Sequence, residues 1–315
     1  MRDLRIVFMG TPDFAVHTLK ALVEHGYNIV GVITAPDRPA GRGRKLNESA
    51  VKVYAKSQNL NILQPTNLKD NGFLNDLRAL DANLQIVVAF RMLPKEVWQM
   101  PKYGTFNLHA SLLPNYRGAA PINWAIINGE TKTGVSTFFI DEKIDTGAMI
   151  LQEAIDIGPD ENAGSLHDRL MHKGSELVLK TITQIKNNEV TATPQIETNN
   201  LKTAYKLNRD NSKIDWTAPM QDIHNKIRGL SPYPAAWCVL INGEDALDVK
   251  IYESKKEIAE HAFEVGHIII SNKTLKVAVR NGYIYIEKMK LPGKKLMDVK
   301  SLLNGYQFHD HAKMR

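Results

Sequence analysis

Leu84-Gln85-Ile86-Val87-Val88-Ala89-Phe90 is apolar at nearly every position, so neither face of this short run is suited to water. A strand covered by helices on both sides reads this way, and such strands belong to parallel sheets. Residues 6–9 and 29–33 are similar runs. Between them lie a turn, Gly10-Thr11-Pro12-Asp13, and a helical stripe of Phe14, Leu19, Leu22 and Val23 that Gly26 ends. Residues 164–186 carry the longest helical pattern. Strand, helix and strand in this order predict an α/β fold with an open, mostly parallel Rossmann-like sheet and right-handed crossovers.

Beyond residue 187 the character changes. Residues 187–208 are rich in Thr and Asn with no long periodic apolar run, which predicts a linker. A short helix over 220–228 follows, then alternating runs at 236–241, 247–252, 267–270, 275–279 and 283–288. Short strands at near-regular spacing predict a small OB-like β-barrel. The expected organisation is a catalytic domain over 1–187, a linker over 188–207 and a C-terminal barrel over 208–315.

Composition narrows the class. Of 315 residues 43% are hydrophobic and 23% charged, which argues against disorder. The single cysteine, Cys238, cannot make an internal disulfide or a zinc cluster and fits a reducing compartment. The opening residues run into a strand pattern too short for a signal-peptide core, and no stretch of about 18 apolar residues follows. The expected location is the cytoplasm, with no membrane role. A net charge of +6 favours an anionic partner only weakly.

One strand pattern is out of place in such a sheet. In Gly104-Thr105-Phe106-Asn107-Leu108-His109-Ala110-Ser111 the period of two puts Asn107, His109 and Ser111 on one face. On an exposed antiparallel strand that face would simply be solvated. In a covered sheet its polar groups need partners or a cavity, and open α/β sheets bind ligands at the carboxyl ends of their strands. Farther on, residues 133–140 read as a strand left through Asp145-Thr146-Gly147, by itself an ordinary tight turn. Only together do an amide, an imidazole and a carboxylate suggest a site.

Asn107-Leu108-His109-Ala110-Ser111-Leu112-Leu113-Pro114 with Tyr116-Arg117-Gly118-Ala119-Ala120-Pro121 closely resembles the signature of the 10-formyltetrahydrofolate-dependent formyltransferases. Gly134-Val135-Ser136-Thr137 through Asp145-Thr146-Gly147 resembles their second signature, in the expected order. The resemblance implies that Asn107, His109 and Asp145 are catalytic and that Ser111, Leu112, Leu113 and Pro114 contact the folate. It implies an amine attacking the formyl carbon, with Asn107 and His109 donating to the resulting oxyanion. Asp145 would orient His109 or take a proton, with no metal. Phe90 and Arg91 fall where the family lines its pteridine pocket, but the loop there is one residue shorter and carries Arg91 where a glycine is common.

Several enzymes share this catalytic domain. The extra hundred-odd residues argue against the glycinamide ribonucleotide transformylases. The segment 35–46, with Arg38, Arg42, Arg44 and Lys45 against one acid, Asp37, resembles the tRNA loop of the branch that formylates methionyl initiator tRNA. Without that match it is a solvated charged loop. Leu291-Pro292-Gly293-Lys294-Lys295 resembles another loop of that branch, and Ile214-Asp215-Trp216 the opening of its C-terminal domain. Between Lys273 and Lys300 eight cations face Glu287 and Asp298, a composition suited to phosphates. The resemblance covers nearly the whole chain and implies a monomer. The rival readings are a formyltransferase for an amino sugar nucleotide and a non-catalytic RNA-binding protein on the same scaffold.

Overall fold

The computed structural model describes residues 1–40, 45–196 and 199–315. The chain runs β1 (Arg5–Gly10), α1 (Asp13–Glu24), β2 (Asn28–Ile33), β3 (Arg38–Ala40), β4 (Lys45–Asn47), α2 (Ala50–Ser57), β5 (Ile62–Leu63), α3 (Asn71–Ala79), β6 (Leu84–Val88), α4 (Lys95–Trp98) and β7 (Thr105–His109). It continues through β8 (Arg117–Gly118), α5 (Pro121–Ile127), β9 (Lys132–Phe139), β10 (Met149–Asp156) and α6 (Ala163–Asn187) to β11 (Thr203–Ala204).

Helix starts follow local chemistry. Ser49 accepts from the Lys52 N–H to open α2, and Asp70 from the Phe73 N–H to open α3, each satisfying a donor the helix cannot. Gly26, at φ +68°, follows the end of α1.

The main sheet has the order β10-β9-β7-β6-β1-β2-β5. β1 pairs in parallel with β2 and β6, β6 with β7, and β2 with β5. All five residues of β6 are buried, as a doubly covered strand requires. The expected mostly parallel sheet is present from β7 to β5 and departs from it at β9, which runs antiparallel to β7 and sets His109 opposite Ser136. Strand order reverses direction at β1, with β2 on one side and β6 on the other, the arrangement that opens a crevice at the carboxyl ends.

Contacts divide the chain into two compact units. One comprises Met1–Gly118, Thr133–Ile155 and His167–Thr203, the other Ala119–Lys132, Asp156–Leu166 and Ala204–Arg315. The second therefore includes α5 and the loop before α6, two segments far from it in sequence. Part of the segment read as a linker is built into the first unit. Thr193 bridges Met149, and the Lys202 carbonyl accepts from the Tyr116 N–H at 2.6 Å.

In the second unit α7 (Met220–Leu230) precedes β12 (Ala236–Asn242), β13 (Asp245–Ile258), β14 (Ile268–Ser271), β15 (Thr274–Val279), β16 (Gly282–Lys290), β17 (Met297–Asp298), α8 (Val299–Leu302) and β18 (Lys313–Met314). The antiparallel sheet β14-β15-β16-β13-β12-β18 curls until a bridge between His267 and Lys313 joins its ends. Closure removes the open edges that a flat sheet would leave. Cys238 lies fully buried in this core, where burial pushes its thiol up to about 12. It is packing, not a nucleophile.

His224 of α7 ties this unit together. Its ring nitrogens reach Ser254 on β13 and Asp160 in the loop before α6, both at 3.1 Å. Burial, together with Lys256 and Arg228, pushes the imidazole below its ordinary value, while Asp160 pulls it back. The unfolded chain then binds the proton more readily than the folded one, so stability falls as pH drops below about 6.5. Thermal melts should show Tm falling between about pH 7 and 5. His224→Gln should flatten that fall, and an unchanged slope would exclude His224 as its source.

Candidate active site

β7 carries the site because it leaves the sheet beside β6 in parallel register, Val88 opposite Leu108. Phe90 and Arg91 therefore exit at the same edge as His109 and Ser111. Phe106 and Leu108 are buried on one face, which fixes Asn107 and His109 on the other.

His109 is 7% exposed. Its Nε2 lies 2.8 Å from the Tyr116 carbonyl, which can only accept, so Nε2 carries a proton. Nδ1 faces Asp145 Oδ2 at 3.7 Å, too long for a hydrogen bond but within ion-pair reach. That carboxylate also accepts from the Gly118 N–H at 2.9 Å. A proton arriving on Nδ1 would turn this contact into a charge pair. The Asn107 carboxamide is half-buried and has no hydrogen-bond partner among the described residues.

Backbone geometry holds these groups. Asp145 sits at φ +56° and Tyr116 at φ +62°, the left-handed region that is costly for a bulky residue such as tyrosine. A Cβ on Gly147 would lie 1.7 Å from the Phe139 carbonyl oxygen, and one on Gly134 2.1 Å from that of Glu153. Only glycine permits these approaches.

Loop 111–114 is clamped from the neighbouring strands. Ser136 Oγ donates to the Ser111 carbonyl at 2.6 Å and accepts from the Leu113 N–H at 3.3 Å and Gln152 Nε2 at 2.9 Å, which uses its one donor and both acceptors. Gln152 also donates to the Leu113 carbonyl at 3.0 Å. The Ser111 hydroxyl is fully buried and donates to the Asn115 carbonyl at 2.8 Å, so its side chain shapes the loop. Leu113 is buried, whereas Leu112 and Pro114 are half-buried.

At the end of β6, Ala89 turns through φ +48° and Arg91 donates to the carbonyls of Pro65 and Thr66. Burial and Arg38 push the Arg91 guanidinium below its ordinary value. Residues 66–69 and 91–94 line a cleft of about 400 Å³.

Of the expected tRNA contacts, Arg38 is exposed on the β3–β4 hairpin. Arg42 and Arg44 lie outside the described residues, and Lys45 is placed by its backbone alone. The hairpin's base is anchored by Lys52, which pairs with Asp37 and with Glu48, and by Gln64, which donates to Asp37 at 2.8 Å. Lys294 and Lys295 are exposed. Of the eight cations between Lys273 and Lys300, Lys276 and Lys288 are paired with Glu257 and Glu253, which tempers the expected positive charge.

Gln195 was missed by sequence reasoning because it falls in the apparent linker. Its Nε2 donates to the carbonyls of Asp145 and Gly147, both at 2.9 Å, and its Oε1 accepts from Arg117 at 2.8 Å. No pattern in the chain marks it.

Three comparisons show what the chain is similar to. Residues 4–182 match the formyl transferase family model, and residues 206–307 match the formyl transferase C-terminal domain. The chain is 62% identical to a methionyl-tRNA formyltransferase of Flavobacterium johnsoniae over 100% of both chains. It is 51% identical to that of Bacteroides thetaiotaomicron, over 99% of this chain and 98% of the relative. Among solved structures, the sugar 3N-formyl transferase WlaRD, crystallised with dTDP and 5-N-formyl-THF, aligns with a TM-score of 0.65 at 22% identity. That match covers 94% of this chain and 100% of the other and shows a shared fold.

Gln195→Ala removes two donors from the turn that presents Asp145, each worth about 1 kcal/mol. The expected result is a roughly tenfold or greater loss of kcat with folate affinity retained, since displaced groups lose rate steeply. Turnover and folate titration on the same variant check this, and an unchanged kcat would remove Gln195 from the positioning network.

Proposed function

The chain belongs to the formyl transferase family, among its methionyl-tRNA formyltransferases, and from that premise we propose that Asn107, His109 and Asp145 perform its chemistry. The enzyme transfers the formyl group of 10-formyltetrahydrofolate to the amino group of methionyl initiator tRNA. The observation carrying the residue assignment is the His109–Asp145 pair at 3.7 Å, with the partnerless Asn107 carboxamide two residues away on the same strand.

The site's donor set fits a folate formyl donor. The amide and imidazole supply N–H groups, and the carboxylate supplies a base. Bound 10-formyltetrahydrofolate brings an amide-like formyl carbon open to attack by an amine. The carboxamide of Asn107 donates to the formyl oxygen as negative charge builds there, and His109 adds a second donor once its Nδ1 carries a proton, since its Nε2 proton is held by the Tyr116 carbonyl. Each such donor is typically worth about 3 kcal/mol in a site shielded from water. Asp145, paired with His109, receives the proton that the attacking amine gives up and returns one to the departing nitrogen. Leu112, Leu113 and Pro114, fixed through Ser136 and Gln152, border the folate, with Phe90 and Arg91 on the adjacent strand end. Arg38, Arg42, Arg44 and Lys45, and on the second unit Lys294 and Lys295, take tRNA phosphates.

The working form we infer is a cytoplasmic monomer. Charged initiator tRNA as the acceptor and the buried Cys238 thiol support this location. Among the described residues no helix is long and apolar enough to cross a membrane.

Transfer from 10-formyltetrahydrofolate to methionyl initiator tRNA tests this reading, with elongator methionyl-tRNA and free methionine as controls. Asp145→Asn and His109→Ala should each lower kcat by about 100-fold or more while tRNA binding persists. Near-normal turnover in both would overturn the catalytic assignment. Arg42→Ala should raise KM for charged tRNA well beyond any change for folate, whereas equal changes would exclude the loop from tRNA selection.

A further inference from the structure

The second unit carries an aromatic row that runs from the buried Tyr283 out to the exposed Phe263. Phe263 and His267 stack with rings 4.9 Å apart and 6° from parallel. His261 lies 6.1 Å from Phe263 and 4.6 Å from Tyr283, and Lys276 Nζ sits 3.9 Å over the Tyr283 ring. Phe263 remains 48% exposed.

The strip is held in place from several directions. His261 Nε2 donates to the carbonyls of Val279 and Gly282, both at 2.9 Å, which leaves its Nδ1 buried without a partner. That costs about 1–3 kcal/mol for an unsatisfied buried group, while the two Nε2 bonds hold the ring in the row. The His267 carbonyl accepts from the Ala278 N–H at 2.9 Å, and the His267 N–H donates to the Glu264 backbone carbonyl at 3.1 Å. A platform fixed beforehand loses little freedom when a flat ligand settles on it.

Charge selects among flat ligands. Arg280 is exposed in the turn whose carbonyls orient His261, and Lys313 and Arg315 lie at the other end, where β18 bridges His267. Of the nearby carboxylates, Glu257 pairs with Lys276 at 3.2 Å and Glu264 with Lys313 at 2.8 Å, while Glu260 is exposed beside His261, so Arg280 and Arg315 are the exposed arginines at the two ends. Aromatic rings interleaved with cations suit nucleobases joined by phosphates, whereas a protein or lipid partner would favour a larger continuous apolar patch.

We propose that the Phe263–His267 stack, flanked by Arg280, is a platform on which an unpaired nucleobase of the RNA substrate stacks. This rests on the tRNA reading above and adds a site to it.

Two measurements on the full chain separate the two claims. The first is binding of a fluorescent, unstructured RNA oligonucleotide to wild type, Phe263→Ala, Phe263→Trp and Arg280→Ala across a salt series. Phe263→Ala should weaken binding at least about fivefold, the low end of one lost base stack, with Phe263→Trp close to wild type. Arg280→Ala should reduce the salt slope by about one phosphate contact, and Phe263→Ala should leave it unchanged. Equal affinity for wild type and Phe263→Ala, or equal losses in Phe263→Ala and Phe263→Trp, would overturn the platform. The second is formylation of methionyl initiator tRNA, where Phe263→Ala should raise KM for tRNA by a similar factor with kcat unchanged. If wild type binds the oligonucleotide through Phe263 but formylates no tRNA, the platform stands and the substrate assignment fails.

Discussion

A covered sheet accepts a polar side chain only where its donors and acceptors find partners, and the carboxyl end of β7 meets this demand unevenly. Ser111 is satisfied wholly by the protein, and His109 is held between a carbonyl and a carboxylate. Asn107 is left open. That contrast separates groups that build the site from the group free to meet a ligand. The glycines at 134 and 147, the left-handed backbone at 116 and 145, and the clamp from Ser136 all serve to keep β7's exit in one geometry.

The site is also economical in what it asks of its neighbours. One serine hydroxyl gives two of its hydrogen-bonding positions to loop 111–114 and the third to Gln152, and one glutamine side chain spans Asp145, Gly147 and Arg117. Neither residue need touch a substrate. Ser136, on β9, converts the rigidity of the sheet into the position of a loop, which loop residues alone supply poorly, whereas Gln195 braces the Asp145 turn from outside any strand.

The second unit solves a different problem. Its curled sheet buries an apolar core, including Cys238, and leaves the outer surface for charge. Several of its lysines are held by glutamates, Lys276 and Lys288 among them. Positive potential therefore concentrates on the cations that escape pairing, with aromatic rings set between some of them. Net charge alone is a poor guide to where an anionic partner would sit.

The parallel sheet and the barrel were legible in the chain, because period-two and period-3.6 patterns depend only on neighbours in sequence, and two local signatures singled out Asn107, His109 and Asp145 as candidates. The antiparallel turn of β9 against β7, the role of Gln195 and the grouping of segments 119–132 and 156–166 with the second unit were not. Each depends on chain segments that are distant in sequence and meet only on folding. Gln195 sits in a stretch whose polar composition reads as a linker, yet its amide is used where Asp145 turns. By itself the sequence determined which residues could carry the chemistry. Only the tertiary structure decided which of them point at one another, because hydrogen-bond geometry across 50 residues of chain leaves no periodic trace.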